Sequence, residues 1–158
     1  MKAAYADPPY IGQARKHYGM PEVDHVALIL RLQEFDAWAL SCSSPSLRVL
    51  LPLCPDGTRC AAWVKPFHIF KPGVNPSYGW EPVLFKGARK RTRQEPTIRD
   101  WVTANITLRR GLTGVKPDAF CVWLFNLLGL RPDDEFFDLY PGSGAVTRAW
   151  EAFSARQA

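Results

Sequence analysis

Apolar residues come along this chain in short blocks broken by proline, glycine and charge, and each block is sized for one strand or one helix. Residues 2–6 form a brief apolar run that stops at Asp7, Pro8 and Pro9, which predicts a short buried strand. Proline has no N–H and holds the residue before it extended, so 7–9 can continue neither a ladder nor a helix and must form a stiff loop. Residues 22–34 read as a helix, with Val23, Val26, Ala27, Leu30 and Leu32 as an approximate apolar face and Pro21 near the start, where proline is tolerated. Residues 36–42 read as a second buried strand. Ser44 as cap and Pro45 at the first position predict a helix over 46–53, ended by Pro55 and Gly57. Strands follow at 58–65 and 80–86, joined by a loop rich in proline, glycine and aromatic residues. Pro82 cannot donate to a ladder, so strand 80–86 is expected to enter the sheet only after it, or to lie near an edge. The signal is weak from 95 to 112, with short pieces at 100–102 and 106–108. A helix over 118–128 closes at Gly129, and a strand over 135–140, a tight loop and a helix over 145–155 complete the chain. Strands and helices alternate, which predicts an α/β fold with a largely parallel sheet.

Composition narrows this only a little. A chain of 158 residues suits one domain, and 47% apolar residues can supply its core. A net charge of +5 favours an anionic partner without naming nucleic acid. Cys42, Cys54, Cys60 and Cys121 form no Cys-x-x-Cys pair, and His17, His25 and His68 do not cluster with them, so no metal site is expected. No apolar run is long enough to cross a membrane, and the first residues run straight into the proline motif rather than through a signal peptide. A reduced, cytoplasmic setting is therefore expected.

Charge is concentrated in one place. Residues 87–93 hold Arg89, Lys90, Arg91 and Arg93, just after Lys86, with no helical stripe to organise them. A solvated loop explains such a run, and phosphate contact is the favoured alternative here. Arg15, Lys16 and His17 follow the proline motif, where a phosphate contact and a solvated loop are equally good readings; Arg109 and Arg110 add to the basic side.

Two stretches carry chemistry. In Asp7-Pro8-Pro9-Tyr10 a carboxylate and backbone carbonyls are held at a strand end beside a flat ring. That arrangement suits a planar group bearing an NH2, such as a nucleobase stacked on Tyr10 with its amine donating to Asp7 and the Pro8 carbonyl. The second stretch, Asp138 to Gly144, passes from strand through glycines to a helix start, where free N–H groups favour an anionic or carboxylate group.

The first stretch resembles the Asp-Pro-Pro-Tyr signature of the amino-methyltransferases, which use S-adenosylmethionine (SAM) to methylate exocyclic amines of bases. The second resembles the loop that holds the methionine moiety of SAM in that family, with Tyr140 where phenylalanine is usual. Lys116-Pro117 before a helix is similar to the family's Lys-Pro element, and residues 80–85 resemble the strand that follows the active-site half. With the proline motif first and the glycine loop last, the order is that of a permuted group that includes phage and bacterial adenine methyltransferases.

The resemblance implies a Rossmann-like fold, compact and lacking one or two edge strands, in a single domain over 1–158 with 66–112 as a target-recognition insertion. It implies Asp7, Pro8, Pro9 and Tyr10 as catalytic residues. It places SAM against Asp7, Lys116, Pro117, Asp138, Tyr140, Pro141, Gly142, Ser143 and Gly144, and nucleic acid against Arg15, Lys16, Lys86, Arg89, Lys90, Arg91 and Arg93. Aspartate at the first motif position implies adenine in DNA as the target, in a bacterial or phage-infected cell. One departure stands out: the acid that usually binds the ribose ~20 residues beyond the glycine loop is not present. Ser143, Thr147 and Arg148 are the substitutes the sequence offers. Strand 135–140 is then expected at a sheet edge, covered by a second subunit or left as an open adenosine side. The alternatives are a degenerate relative that binds nucleic acid or a catalytic partner without transferring a methyl, an RNA or cytosine-N4 enzyme, and an enzyme acting on a small molecule or a protein glutamine.

Overall fold

Alanine sets the spacing at the centre of the sheet. The strand β1 (Lys2–Ala6) carries Ala3, Ala4 and Ala6 around one large side chain, Tyr5, and all four are fully buried. A strand buried on both faces reads as a continuous apolar run, and small side chains let layers on either side pack closely. The computed structural model describes residues 1–15, 19, 21–108 and 114–155. Beside β1 lie β2 (Ala37–Ser41), β3 (Arg59–Val64), β4 (Trp80–Lys86), β5 (Trp101–Thr103) and β6 (Glu135–Asp138). They form a six-stranded sheet in the order β5-β3-β4-β2-β1-β6. The pairs β1–β2, β1–β6 and β3–β5 are parallel, and β4 runs antiparallel to both of its neighbours. The α/β class with a mostly parallel sheet is as expected.

Helices cover both faces. α1 (His25–Leu32) and α2 (Leu47–Leu50) pack Leu28, Ile29, Leu32 and Leu50 on Ala4, Ala6, Trp38, Leu40 and Leu84. α3 (Asp118–Leu128) and α4 (Ala145–Ala155) cover the other face, where Phe120, Trp123, Leu124 and Phe125 meet Tyr5, Ala39, Trp63 and Phe85. Gly129 ends α3 in the left-handed region, at φ 70°, as the sequence suggests.

Four local expectations change. α1 starts later than expected, capped by Asp24, whose carboxylate accepts the Ala27 N–H at 2.9 Å. Its buried face is Leu28, Ile29 and Leu32, while Val26 and Leu30 are exposed. The helix expected over 46–53 is only one turn of α-helix between two 3-10 turns, Ser44–Ser46 and Leu51–Leu53, with no side-chain cap. The strand expected over 135–140 leaves the sheet after Asp138. Pro82 sits inside an interior strand, opposite Ala62. Its carbonyl accepts from Cys42 N at 3.1 Å, one residue beyond the end of β2. The donor proline lacks is therefore missing only where that ladder ends.

The topology also separates the charges. β1, β2 and β6 end at one rim of the sheet, and the antiparallel β4 begins there with Trp80 and Glu81. β4 ends at the opposite rim, since Lys86 pairs with Trp38 near the start of β2. The run Lys86, Arg89, Lys90, Arg91 and Arg93 thus leaves the sheet at the rim away from Asp7, a strand length or about 16 Å distant. It is set apart from the proline motif. Arg89 is instead built into the fold. Its guanidinium donates to both oxygens of buried Asp134 at 2.7 Å and to the Gly129 carbonyl at 2.9 Å. The Met1 ammonium lies 2.7 Å from the same carboxylate. Arg91 donates to the Asn126 carbonyl at 2.7 Å, while Lys90 and Arg93 are exposed. Burial pushes the Asp134 carboxyl up, but the amino terminus, the Arg131 N–H and Arg89 together hold it below its usual range.

Arg89→Ala is expected to destabilise the fold by roughly 2 kcal/mol, a Tm drop of about 4–8 °C. Lys90→Ala, on the same run but exposed, is expected to leave Tm unchanged. Equal effects in differential scanning calorimetry would count against the structural role of Arg89.

Candidate active site

The stiff corner after β1 does what its prolines dictate. Residues 7–10 leave the ladder, and the Asp7 side chain stays at the rim, only 22% exposed. The neighbouring parallel strand β6 ends at the same height, with Leu139 N donating to the Tyr5 carbonyl at 2.9 Å. The glycine turn at 141–144 is consequently brought beside the proline corner. Its tightest link is Gly144 N to the Pro141 carbonyl, at 2.6 Å. Gly142 and Gly144 hold φ of 47° and 71°, in the region that favours glycine, and a Cβ on Gly144 would lie 2.8 Å from the Arg148 guanidinium. Arg148 in turn donates to the Ser143 carbonyl at 3.0 Å, which braces the turn.

A cavity of about 340 Å³ lies between the two corners. Asp7 and Pro9 line one side, Tyr140 to Ser143 and the start of α4 line the other, and Tyr5 and Lys116 line the floor. The first N–H groups of an eleven-residue helix open onto it, a setting that favours a carboxylate. A second, more open groove of about 510 Å³ adjoins it, sharing Leu139 and Pro141 and adding Arg31, Asp138, Thr147 and Trp150. Asp138 lines this groove, not the first cavity. One of its oxygens accepts from the Thr147 hydroxyl at 3.0 Å, and the other is buried without a hydrogen bond. Burial raises its pKa.

The charges around Asp7 form a closed set. The Lys116 ammonium sits 2.9 Å from the Asp7 carboxylate and 2.7 Å from that of Glu81. Glu81 also accepts from Lys65 at 2.9 Å and from the Tyr10 hydroxyl at 2.6 Å. Trp63 lies beneath, with the Lys65 and Lys116 ammonium groups 4.3 and 5.3 Å from its ring centroid. Burial pushes the Glu81 carboxyl up, but Lys116, Lys65 and the hydrogen bonds outweigh it and hold it at about 2. For Asp7, burial and the like charge of Glu81 win over the help of Lys116, and its pKa is raised. For Lys116 the two carboxylates outweigh burial, so it stays charged. One ammonium thus serves two carboxylates unequally, which leaves Asp7 the more basic.

Among the expected site residues, Asp7, Pro9, Lys116, Tyr140, Pro141, Gly142 and Ser143 line one cavity. Pro8 is buried and shapes the corner. Tyr10 is held by its hydroxyl on Glu81. Pro117 serves as the extended residue ahead of α3. Gly144 closes the turn, Thr147 holds Asp138, and exposed Arg15 follows the corner on the same side. Lys16, His17, Arg109 and Arg110 lie outside the described residues. Glu81 and Lys65 were not anticipated. Glu81 left a signal, as a lone acid in an otherwise apolar strand: such an acid is rarely buried unless paired.

No family model and no curated protein matches this sequence. Solved structures do. A crystal structure of M1.HpyAVI in complex with SAM superposes with a TM-score of 0.64 at 17% identity, over 97% of this chain and 78% of that one. A second crystal structure of M1.HpyAVI gives 0.62 at 18% identity, over 96% and 76%. This chain therefore has the fold of that SAM-binding protein.

Lys116→Met would leave Asp7 and Glu81 buried without their shared counter-charge, at a cost of roughly 3–5 kcal/mol near pH 7. Glu81 keeps Lys65 while Asp7 loses its counter-charge beside it, so the Asp7 pKa rises further and a proton is taken up as pH falls. The deficit against wild type is expected to shrink between pH 7 and pH 5. Thermal unfolding at both values checks this, and a deficit that grows toward pH 5 would refute the triad.

Proposed function

We propose that this protein is a SAM-dependent methyltransferase acting on the exocyclic amine of a nucleobase, with adenine N6 in DNA as the target. One observation carries the reading: the Asp7 carboxylate and the glycine turn at 141–144 line the same cavity. The fold shared with M1.HpyAVI in its complex with SAM supports it, as does the motif order in the sequence.

The residues present fit the cofactor. The start of α4 and the backbone of Gly142 and Ser143 would receive its carboxylate. Asp7, on the opposite wall, gives the cavity an anionic side toward the cationic half. Bound SAM would supply an electrophilic methyl group on a sulfonium. Asp7 and the Pro8 carbonyl would then accept the two hydrogens of the target amine and turn its nitrogen lone pair toward the methyl carbon. As the N–C bond forms and the C–S bond breaks, the amine becomes acidic, and Asp7 takes its proton directly or through water. A carboxylate with a raised pKa is suited to this. Lys116 holds Asp7 in place, and Glu81 sets how basic Asp7 is. In this scheme the hydroxyl anchor on Glu81 fixes the plane of Tyr10 against which the base packs. Most of the rate would come from positioning. The base must be unstacked or unpaired to enter.

Target reading falls to a smaller region than 66–112, because β4 and β5 lie inside that range and belong to the sheet. The loop 65–79 and the chain that follows β5 leave the sheet at the rim of Asp7.

Two measurements test the proposal. Asp7→Ala is expected to lower methyl transfer by roughly 10³-fold or more while calorimetry still shows SAM binding. Equal loss of both would remove Asp7 from base positioning. Wild-type activity is expected to rise with pH through an Asp7 pKa above the usual ~3.9 and then level off. Glu81→Gln removes the like charge that raises Asp7, so the acid limb should move to lower pH. A limb that stays put or moves up would contradict this account of the two carboxylates.

A further inference from the structure

The loop 65–79 carries large rings that the fold leaves uncovered. Phe70 is 77% exposed, and Phe67, Ile69 and Tyr78 are more than half exposed. Trp80, at the start of β4, pairs with Val64 and shares its face of the sheet. Trp101 pairs with Ala62 and therefore shares that face too. This is the face that α1 and α2 cover over β1 and β2; over β3 and β5 it leaves Val64, Trp80 and Trp101 exposed.

The loop is not loose. His68 Nδ1–H donates to the Lys65 carbonyl at 3.1 Å, while its Nε2 accepts from the Ser77 hydroxyl at 2.8 Å, so one imidazole ties the two limbs together. Phe67 N donates to the Asn105 side chain at 3.1 Å. Polar groups thus face inward along the loop and rings face solvent. The charge around them is mostly positive. From Gly57 to Trp80 the chain has Arg59, Lys65 and Lys71 but no Asp or Glu; Arg59 pairs with Asp100 at 3.3 Å and Lys65 with Glu81 at 2.9 Å, and the Arg99 guanidinium lies 5.0 Å from the Trp101 ring centroid.

We infer that the rings of Phe67, Phe70, Tyr78 and Trp80 form a stacking platform for unpaired nucleotides beside the target base, so that the preferred substrate is a single strand. Every base has a π-face, whereas a duplex keeps its base faces buried in the stack. Fixed, exposed rings with a local excess of cations therefore suit a single strand better than a duplex. The platform projects from the rim that holds Asp7, so a strand lying on it runs toward the cavity. The inference rests on the nucleobase reading above for the direction of the strand, and on the loop alone for the stacking.

Fluorescence anisotropy with a labelled mixed-sequence 12-nucleotide DNA strand, and with the matching duplex, tests it at fixed salt. The single strand is expected to bind at least tenfold more tightly. Phe70→Ala/Tyr78→Ala is expected to weaken single-strand binding tenfold to a hundredfold, and Lys2→Ala, an exposed cation at the opposite rim, to leave it unchanged. Photo-crosslinking of wild type to an iodouridine-containing strand should map to the peptide spanning 66–80, which frees the test from any folding defect in the variant. Equal affinity for strand and duplex, an unaffected double variant, or crosslinks confined elsewhere would overturn the inference. So would light scattering that shows a dimer abolished by the double variant, since the rings would then be a protein interface. SAM calorimetry on the same samples separates the two readings, because a chain that binds single strands but not SAM retains the platform and loses the methyltransferase.

Discussion

Lys116 is the constraint from which the site follows. A buried ammonium needs anionic partners, and two buried carboxylates need a cation; neither set is tolerable alone. Asp7 arrives from the corner after β1, Glu81 from β4, and Lys116 from the segment ahead of α3. Three parts of the chain separated by 74 and 35 residues are thereby fixed to one another at a single point. Each distance in the set is below 3 Å, so a shift in any one element is felt by the others. The inequality between the carboxylates follows from this crowding. Glu81 has Lys65 and Tyr10 as well as Lys116, and it takes the charge easily; Asp7 has less help and more of the repulsion.

The direction of β4 determines what else can reach that point. An antiparallel strand placed in a parallel neighbourhood reverses which of its ends meets the rim of Asp7. It brings Trp80, Glu81 and the loop before them to Asp7, and it sends the basic stretch after Lys86 to the far side. The densest positive charge of the chain is accordingly spent in part on closing the lower rim, with Arg89 on Asp134 and Arg91 on the end of α3.

Much of this was legible in the sequence, and the remainder was hidden for identifiable reasons. Proline after a short apolar run gave the corner at Asp7, and glycine between a strand and a helix gave the turn at 141–144, because both effects are local to the backbone. Glu81 was visible only as an oddity, since its partners lie 16 residues upstream and 35 residues downstream and are joined to it by pairing that no window of sequence displays. The place of the basic run was hidden for the same reason: composition shows charge but not which end of a strand carries it. Pro82 misled because the ladder it interrupts happens to end beside it. The face of α1 was misphased by residues that lie before the helix begins, Val23 among them.

Trp63 adds a property of a different kind. Its indole is nearly sealed from solvent, its N–H is tied to the Ala104 carbonyl at 2.8 Å, and two ammonium groups lie over its ring. The excited state of indole shifts charge across its two rings, so fixed ions at this range tune the colour of its emission. The chromophore is thus a native optical gauge of the electric field at the chemical centre, readable without attaching a label.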